Sequence, residues 1–142
     1  MFGEILVAID GSKMGEKVLQ VALEEAHIWK AKINVIYVVE TGLFSSLPMD
    51  NTWEVMYSLL EKEGSEALAR AKEEATKRGV QITTQVKQGH AGNEILKAAE
   101  ESHADLVIVG SHGKSDVDRL LLGSVSSFVV ANSRASVLVV RS

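Results

Sequence analysis

The residues with the clearest chemical content are three glycines late in the chain: Gly110, Gly113 and Gly123, the last followed at once by Ser124. Their spacing is G-x2-G-x9-G-S, worded Gly110-Ser111-His112-Gly113-Lys114 and then Leu121-Leu122-Gly123-Ser124-Val125. A short apolar run, Leu106 to Val109, precedes the set, and an apolar periodic stretch follows it. That order reads as strand, glycine loop and helix start. Glycine lets a backbone approach a ligand closely and adopt positive φ without a Cβ clash. The N–H groups of such a loop, and of the helix end after it, carry partial positive charge. The guest that suits them is an anion such as a phosphate chain.

Two common phosphate motifs do not fit. Gly113-Lys114-Ser115 resembles the end of a Walker A loop, but that motif needs a glycine at position 108, where Ile stands. The dinucleotide motif GxGxxG fails because position 112 is His and the loop comes late in the chain. Outside the glycines, Asp10 closes the first apolar run in an Asp10-Gly11-Ser12 cluster. It reads either as a turn former and helix cap or as a ligand contact, and the two are compatible because Ser12 can cap instead. Ser124 is likewise an N-cap, a phosphate contact or both. Lys114 reads as a solvated loop charge before it reads as a phosphate lysine. His112 has an acid–base side chain but no partner at a recognisable spacing. His27, His90 and His103 show no metal-ligand spacing, and Asp116 and Asp118 read as solvated carboxylates in the polar link.

The elements that must position these residues follow from periodicity. Ile5 to Ile9 is a continuous apolar run, a first strand. Met14 to Trp29 has helical spacing through residues 14, 18, 19, 22, 26 and 29. Ile33 to Val39 is a second strand, and strand, helix and strand in that order form a right-handed parallel unit. Glu40 to Asn51, with Pro48 and Gly42, reads as a surface connection. A long helix is expected from Thr52 to about Arg78, with Val55, Leu59, Leu60, Leu68, Ala71 and Ala75 on or near one face and Gly79 closing it. Val80 to Gln88 alternates apolar and polar, which suits a strand at a sheet edge. Gly89 to Asn93 reads as a turn, and Glu94 to Ser102 as a helix with Ile95, Leu96, Ala98 and Ala99 inward. The fourth strand is 106–109, the last helix 124–132 and the last strand 137–140. Five strands alternating with four helices predict an open α/β sheet with helices on both faces. The expected strand order, 3-2-1-4-5, puts a topological switch point between strands 1 and 4. Ligands in such sheets bind there, outside the carboxyl ends, and Asp10 and Gly110 both end strands at that point.

Composition narrows the partners. The 142 residues are expected to form one domain across 1–142. A net charge of −4 disfavours a nucleic-acid partner, which calls for a basic surface. The absence of cysteine excludes disulfide scaffolds, thiolate zinc sites and cysteine nucleophiles. No apolar run approaches a membrane span, and Glu4 interrupts the N-terminus at once, so neither membrane association nor a signal peptide is expected and the expected location is the cytoplasm.

The glycine set with its Ser124, and the wording around it, resembles the nucleotide-binding signature of the universal stress protein family, in its ATP-binding branch. The resemblance runs over essentially the whole chain and is strongest at 4–12, 33–40 and 105–140. It implies the fold read above. It implies that Asp10 sits by adenine and ribose, that Val38 contacts adenine through its backbone, and that Gly110, Gly113, Gly123, Ser124 and Val125 hold ribose and phosphates, flanked by Val109 and Ser111. It implies ATP, or AMP or ADP, as ligand, with Mg²⁺ or Mn²⁺ on the phosphates, and a homodimer through strand 137–140. Two places depart from the family's wording: Ala135-Ser136 precedes the last strand where Lys-Pro is common, and Ala8 stands where proline sometimes does.

Three function classes follow. The first is a nucleotide-dependent regulator or sensor of stress that reports occupancy to an unknown protein partner. The second is a slow ATPase or phosphotransferase, disfavoured because no dedicated base is legible beyond Asp10. The third is a dimeric interaction module that binds no nucleotide, against which the intact glycine set argues.

Overall fold

The computed structural model describes residues 1–44, 51–112 and 122–141. Gly113, Lys114, Asp116, Asp118, Leu121 and the segment 45–50 with Pro48 lie outside the described residues.

Five parallel strands form one sheet in the order β3-β2-β1-β4-β5. They are β1 (Glu4–Ile9), β2 (Lys32–Glu40), β3 (Ile82–Gly89), β4 (Leu106–Gly110) and β5 (Ser136–Val140). The apolar runs predicted this centre. Ile5, Leu6 and Val7 are fully buried, as a strand covered on both faces requires. β1 pairs with β2 in the register Val7 to Val35 and with β4 in the register Val7 to Ile108. The alternating strand β3 lies at an edge, with β2 as its one neighbour among the described residues.

Side-chain alternation divides the core between the two faces. Ile5, Val7 and Ile9 pack with α1 (Lys13–Trp29) and α2 (Asn51–Lys77). Leu6, Ile36, Val107 and Val109 pack with Ile95, Ala98 and Ala99 of α3 (Ala91–Glu101) and Val129 of α4 (Ser124–Asn132). Ser12 caps α1, its hydroxyl accepting from the Gly15 amide at 3.2 Å. Gly79 follows α2 at φ +69°, the left-handed conformation that favours glycine in a helix stop.

Three expectations need correcting. Glu40 is the last residue of β2 rather than loop, Asn51 opens α2, and a short 3-10 turn spans Thr41–Phe44. α3 begins at Ala91, so residues 91–93 form its first turn instead of a separate turn. The apolar face expected along α2 holds except at two places in its first half, where Trp53 and Tyr57 pack partly buried against the core with Leu60 and not Val55 and Leu59. Gly64, Ala67, Leu68, Ala71 and Ala75 are buried, whereas Val55 and Leu59 are 56% and 58% exposed. Helical phase explains this: at about 3.6 residues per turn Trp53, Tyr57, Leu60, Gly64, Ala67, Ala71 and Ala75 share one face, and Val55 and Leu59 fall on the opposite one.

Candidate functional site

At the carboxyl ends of β1 and β4, where the strand order reverses, lies a cavity of about 300 Å³. That volume is at the lower end of the range for small-molecule sites. The sheet order gives the cavity two ends about 10 Å apart, because one strand separates β2 from β4. Toward β2 and α3 the lining is apolar: Ala8, Ile36, Val38, Ala91 and Ile95. Toward β4 and α4 it is polar: Gly110, His112, Gly123, Ser124 and Ser126, with Val109 and Val125 beside them. Asp10 also lines the cavity, at the end of the intervening strand β1.

Asp10 is held by its own turn. Its Oδ1 accepts from the Ser12 amide at 3.0 Å and from the Ser12 hydroxyl. Gly11 makes that turn at φ +81°, and a Cβ there would lie 2.7 Å from Oε1 of Glu63 on α2. Both readings of Asp10 are therefore compatible with its position: it orders the turn while Ser12 does the capping, and it faces the cavity.

The loop after β4 is fixed by backbone bonds. The Ser111 amide donates to the Val140 carbonyl at 2.8 Å, extending the sheet by one residue. The Ser111 carbonyl accepts from the Gly123 amide at 2.6 Å and from the Ser126 hydroxyl at 3.2 Å. These bonds bring the start of α4 against the end of β4 across the link between them. Gly123 permits the approach, since a Cβ would lie 3.2 Å from the Ser111 carbonyl oxygen and 3.3 Å from the His112 Cα. Ser111 itself is buried and does not line the cavity; its carbonyl anchors the residues that do. Gly110 lines the cavity, yet its missing side chain answers a packing demand. A Cβ there would lie 2.6 Å from Cγ of Met14, where α1 crosses the strand end.

The helix ends at the cavity differ. Gly123 is the N-cap of α4 at φ −66°, ψ 165° and has no side chain to cap with; Ser124 is the first helical residue rather than the cap. The first N–H groups of a helix have no acceptor within it, so the amides of Ser124 and Val125 are available at the cavity wall. At α3 the ends are filled. The Ala91 amide donates to Oε2 of Glu40 at 2.8 Å, and the Asn93 amide donates to Nδ1 of the N-cap His90 at 3.2 Å.

Sequence reasoning did not single out Met14, Gly15, Ile36, Ala91, Ile95 or Ser126 as lining residues, nor Glu40 as the group that fills the α3 end. Ser126 had a weak signal, a hydroxyl residue inside an apolar helix. Glu40 had none, because its partner is 51 residues away. Among the described residues no group of three or more His, Cys, Asp or Glu side chains is placed to hold a metal ion. No described helix is long and apolar enough to cross a membrane.

Comparison with known proteins agrees with this architecture. The sequence model of the universal stress protein family matches residues 1–141. A universal stress protein of Methanocaldococcus jannaschii is 38% identical over 141 residues, covering 99% of this chain and 83% of that protein. The solved structure of hypothetical protein MJ0577 superposes with a TM-score of 0.87 at 27% identity, over 100% of this chain and 97% of the other. A universal stress protein solved in complex with cAMP superposes with a TM-score of 0.70 at 26% identity, over 99% and 97% of the two chains. The match runs over nearly the full length, and the chain belongs to the universal stress protein family.

Proposed function

We propose that this protein binds an adenine nucleotide, ATP or its AMP and ADP relatives, in the cavity, and that occupancy regulates a protein partner in a stress response. The observation that carries the reading is the uncapped N-terminus of α4 at the polar end, set opposite an apolar end lined by Ala8, Val38 and Ile95. Phosphates take the amides of Ser124 and Val125; adenine lies among Ala8, Val38 and Ile95; Asp10 meets the ribose between them. Gly110, Val109 and Gly123 shape the phosphate end, Ser111 braces it, and Gly113 belongs to the same loop by sequence. The relative solved with cAMP supports an adenine ligand.

A divalent cation, Mg²⁺ or Mn²⁺, fits the reading as a companion of the phosphates. Mg²⁺ is commonly held by one or two carboxylates together with substrate phosphates rather than by an all-protein cage, and Asp10 is a carboxylate on the cavity wall. The partner copy in a homodimer adds along β5, which carries Val137 to Val140 and, among the described residues, is an edge strand paired with β4 alone. The setting is the cytoplasm.

The test is thermal unfolding with ATP, with and without Mg²⁺, together with identification of any nucleotide that co-purifies. A ligand at 100 times its Kd adds about 2.7 kcal/mol of stability. The expected result is a saturable shift of that size. A melting curve indifferent to every adenine nucleotide, from protein that carries none, would overturn the proposal.

A further inference from the structure

Eight large apolar side chains among the described residues are exposed, and three of them, Val55, Met56 and Leu59, fall close together on α2. An apolar side chain exposed singly needs no explanation. These three form a group: Val55 and Leu59 stand one turn apart, and Met56 is a helical neighbour of Leu59. Val55 and Leu59 lie on the side opposite Trp53, Tyr57 and Leu60, which pack against the core. The same outer side changes character farther along the helix. At the continuing spacing it carries Lys62, Glu66, Arg70, Glu73 and Lys77, all exposed. Opposite charges four residues apart suit a helix surface in contact with water.

Charge says what the apolar half would accept. From Asn51 to Glu66, α2 holds four carboxylates, Glu54, Glu61, Glu63 and Glu66, against one base, Lys62. From Ala67 to Lys77 the balance reverses, with Arg70, Lys72 and Lys77 against Glu73 and Glu74. The stretch 45–50 ahead of the helix adds Asp50 and no base to the sequence. The start of α1, near this half because Glu63 lies beside Gly11, carries the exposed Lys13 and Glu16, which offset each other. Two copies of this chain joined at the patch would bring acid against acid, which disfavours that pairing. An anionic membrane is disfavoured for the same reason. An amphipathic helix with an apolar stripe edged by Lys or Arg satisfies both features, apolar contact at the centre and opposite charge at the rim.

We propose that the outer face of the first half of α2, centred on Val55, Met56 and Leu59, is a docking surface for a basic amphipathic helix of a protein partner. None of the three lines the cavity, and the inference does not rest on the nucleotide reading. It gives a protein partner a chemistry and a place.

The experiment titrates the protein at low salt with a synthetic amphipathic helix of about eighteen residues, or five turns, with Leu on one face and Lys on the other. A Leu/Glu peptide of the same pattern is the comparison. The variants are the double substitution Val55→Gln with Leu59→Gln, the charge reversal Glu66→Lys, and Ile28→Gln at an exposed apolar residue of α1. All four side chains are exposed, so the variants keep the fold, which circular dichroism checks. Glu66 is reversed rather than Glu63 because Glu63 lies beside Gly11, in the turn that holds Asp10. The Leu/Lys peptide is expected to bind the wild type at least about tenfold more tightly than the Leu/Glu peptide. The double variant is expected to lose about tenfold or more, the scale of one aliphatic side chain buried at an interface. Glu66→Lys should weaken binding and flatten its dependence on salt, and Ile28→Gln should leave it unchanged. Equal affinity for the two peptides, equal binding by the wild type and the double variant, or no binding by the wild type would overturn the proposal. Two further results would overturn it by assigning the face elsewhere. Self-association in light scattering that the double variant loses would assign it to a second copy. Peptide binding that appears only after 45–50 is replaced by Gly and Ser would assign it to that segment of this chain. Nucleotide binding is read separately, by the thermal shift with ATP, and stands or falls on its own.

Discussion

Two helices begin at the same cavity, and the chain finishes their N-termini in opposite ways. At α3 the first amide is taken by Glu40 and the third by His90, so a carboxylate of the protein already occupies the positive end of the helix. At α4 the cap is a glycine, its own amide is spent on Ser111, and the next amides are left for a guest. The difference gives the cavity a direction. A molecule with one anionic and one neutral end fits in one orientation, because an anion at α3 would meet Glu40. The lesson is that a helix end is left open or closed by what the rest of the fold brings to it.

The largest effect on this contrast is expected from Ser124→Pro. Proline at the first helical position is tolerated, since its missing N–H has no partner in the helix. The extended Gly123 before it, at φ −66° and ψ 165°, suits a following proline. The variant should keep its melting temperature without ligand but bind ATP about ten- to a hundredfold more weakly, from a lost charge-assisted bond of about 1.5–3 kcal/mol. Titration calorimetry checks this, and unaltered affinity would mean that the open amides of α4 do not hold the ligand.

Glu40→Ala attacks the closed end instead. Loss of its bond to the Ala91 amide should cost about 0.5–2 kcal/mol, the range of a lost helix cap, or a few degrees of melting temperature. Inorganic phosphate should then stabilise the variant more than the wild type, because a second helix end has opened to anions. A variant that responds to phosphate as the wild type does would show that Glu40 is not what closes α3.

The smallest change expected is from Ser126→Ala. The buried hydroxyl donates to the carbonyls of Ser111 and Gly123, and its loss should cost about 0.5–1.5 kcal/mol. The Gly123–Ser111 backbone bond remains, so ATP affinity should fall by much less than in Ser124→Pro. Equal losses in the two variants would mean that the brace matters as much as the open amides.

Much of the frame was legible from residue order. The continuous runs at Ile5–Ile9 and Leu106–Val109 announced strands covered on both faces, and alternation through Ile82 and Val86 announced an edge. Both follow from local side-chain periodicity, which burial enforces strand by strand. The long helix was legible as a helix, but Val55 and Leu59 were assigned to its inner face, which Trp53, Tyr57 and Leu60 occupy in those turns. Gly110 was read as a ligand glycine from its spacing; that α1 also crosses it is a fact of packing, invisible until Met14 is placed.

By itself, then, the sequence determined the alternation of strands and helices, the strands covered on both faces and the alternating strand at the edge. These depend on neighbours a few residues apart, and local periodicity records them. Only the tertiary structure decided which helix end stays open, since Glu40 reaches Ala91 across 51 residues and the Ser111 carbonyl reaches Gly123 across the loop. Hydrogen-bond satisfaction is settled by whichever group arrives in space, and the order of residues along the chain does not record that arrival.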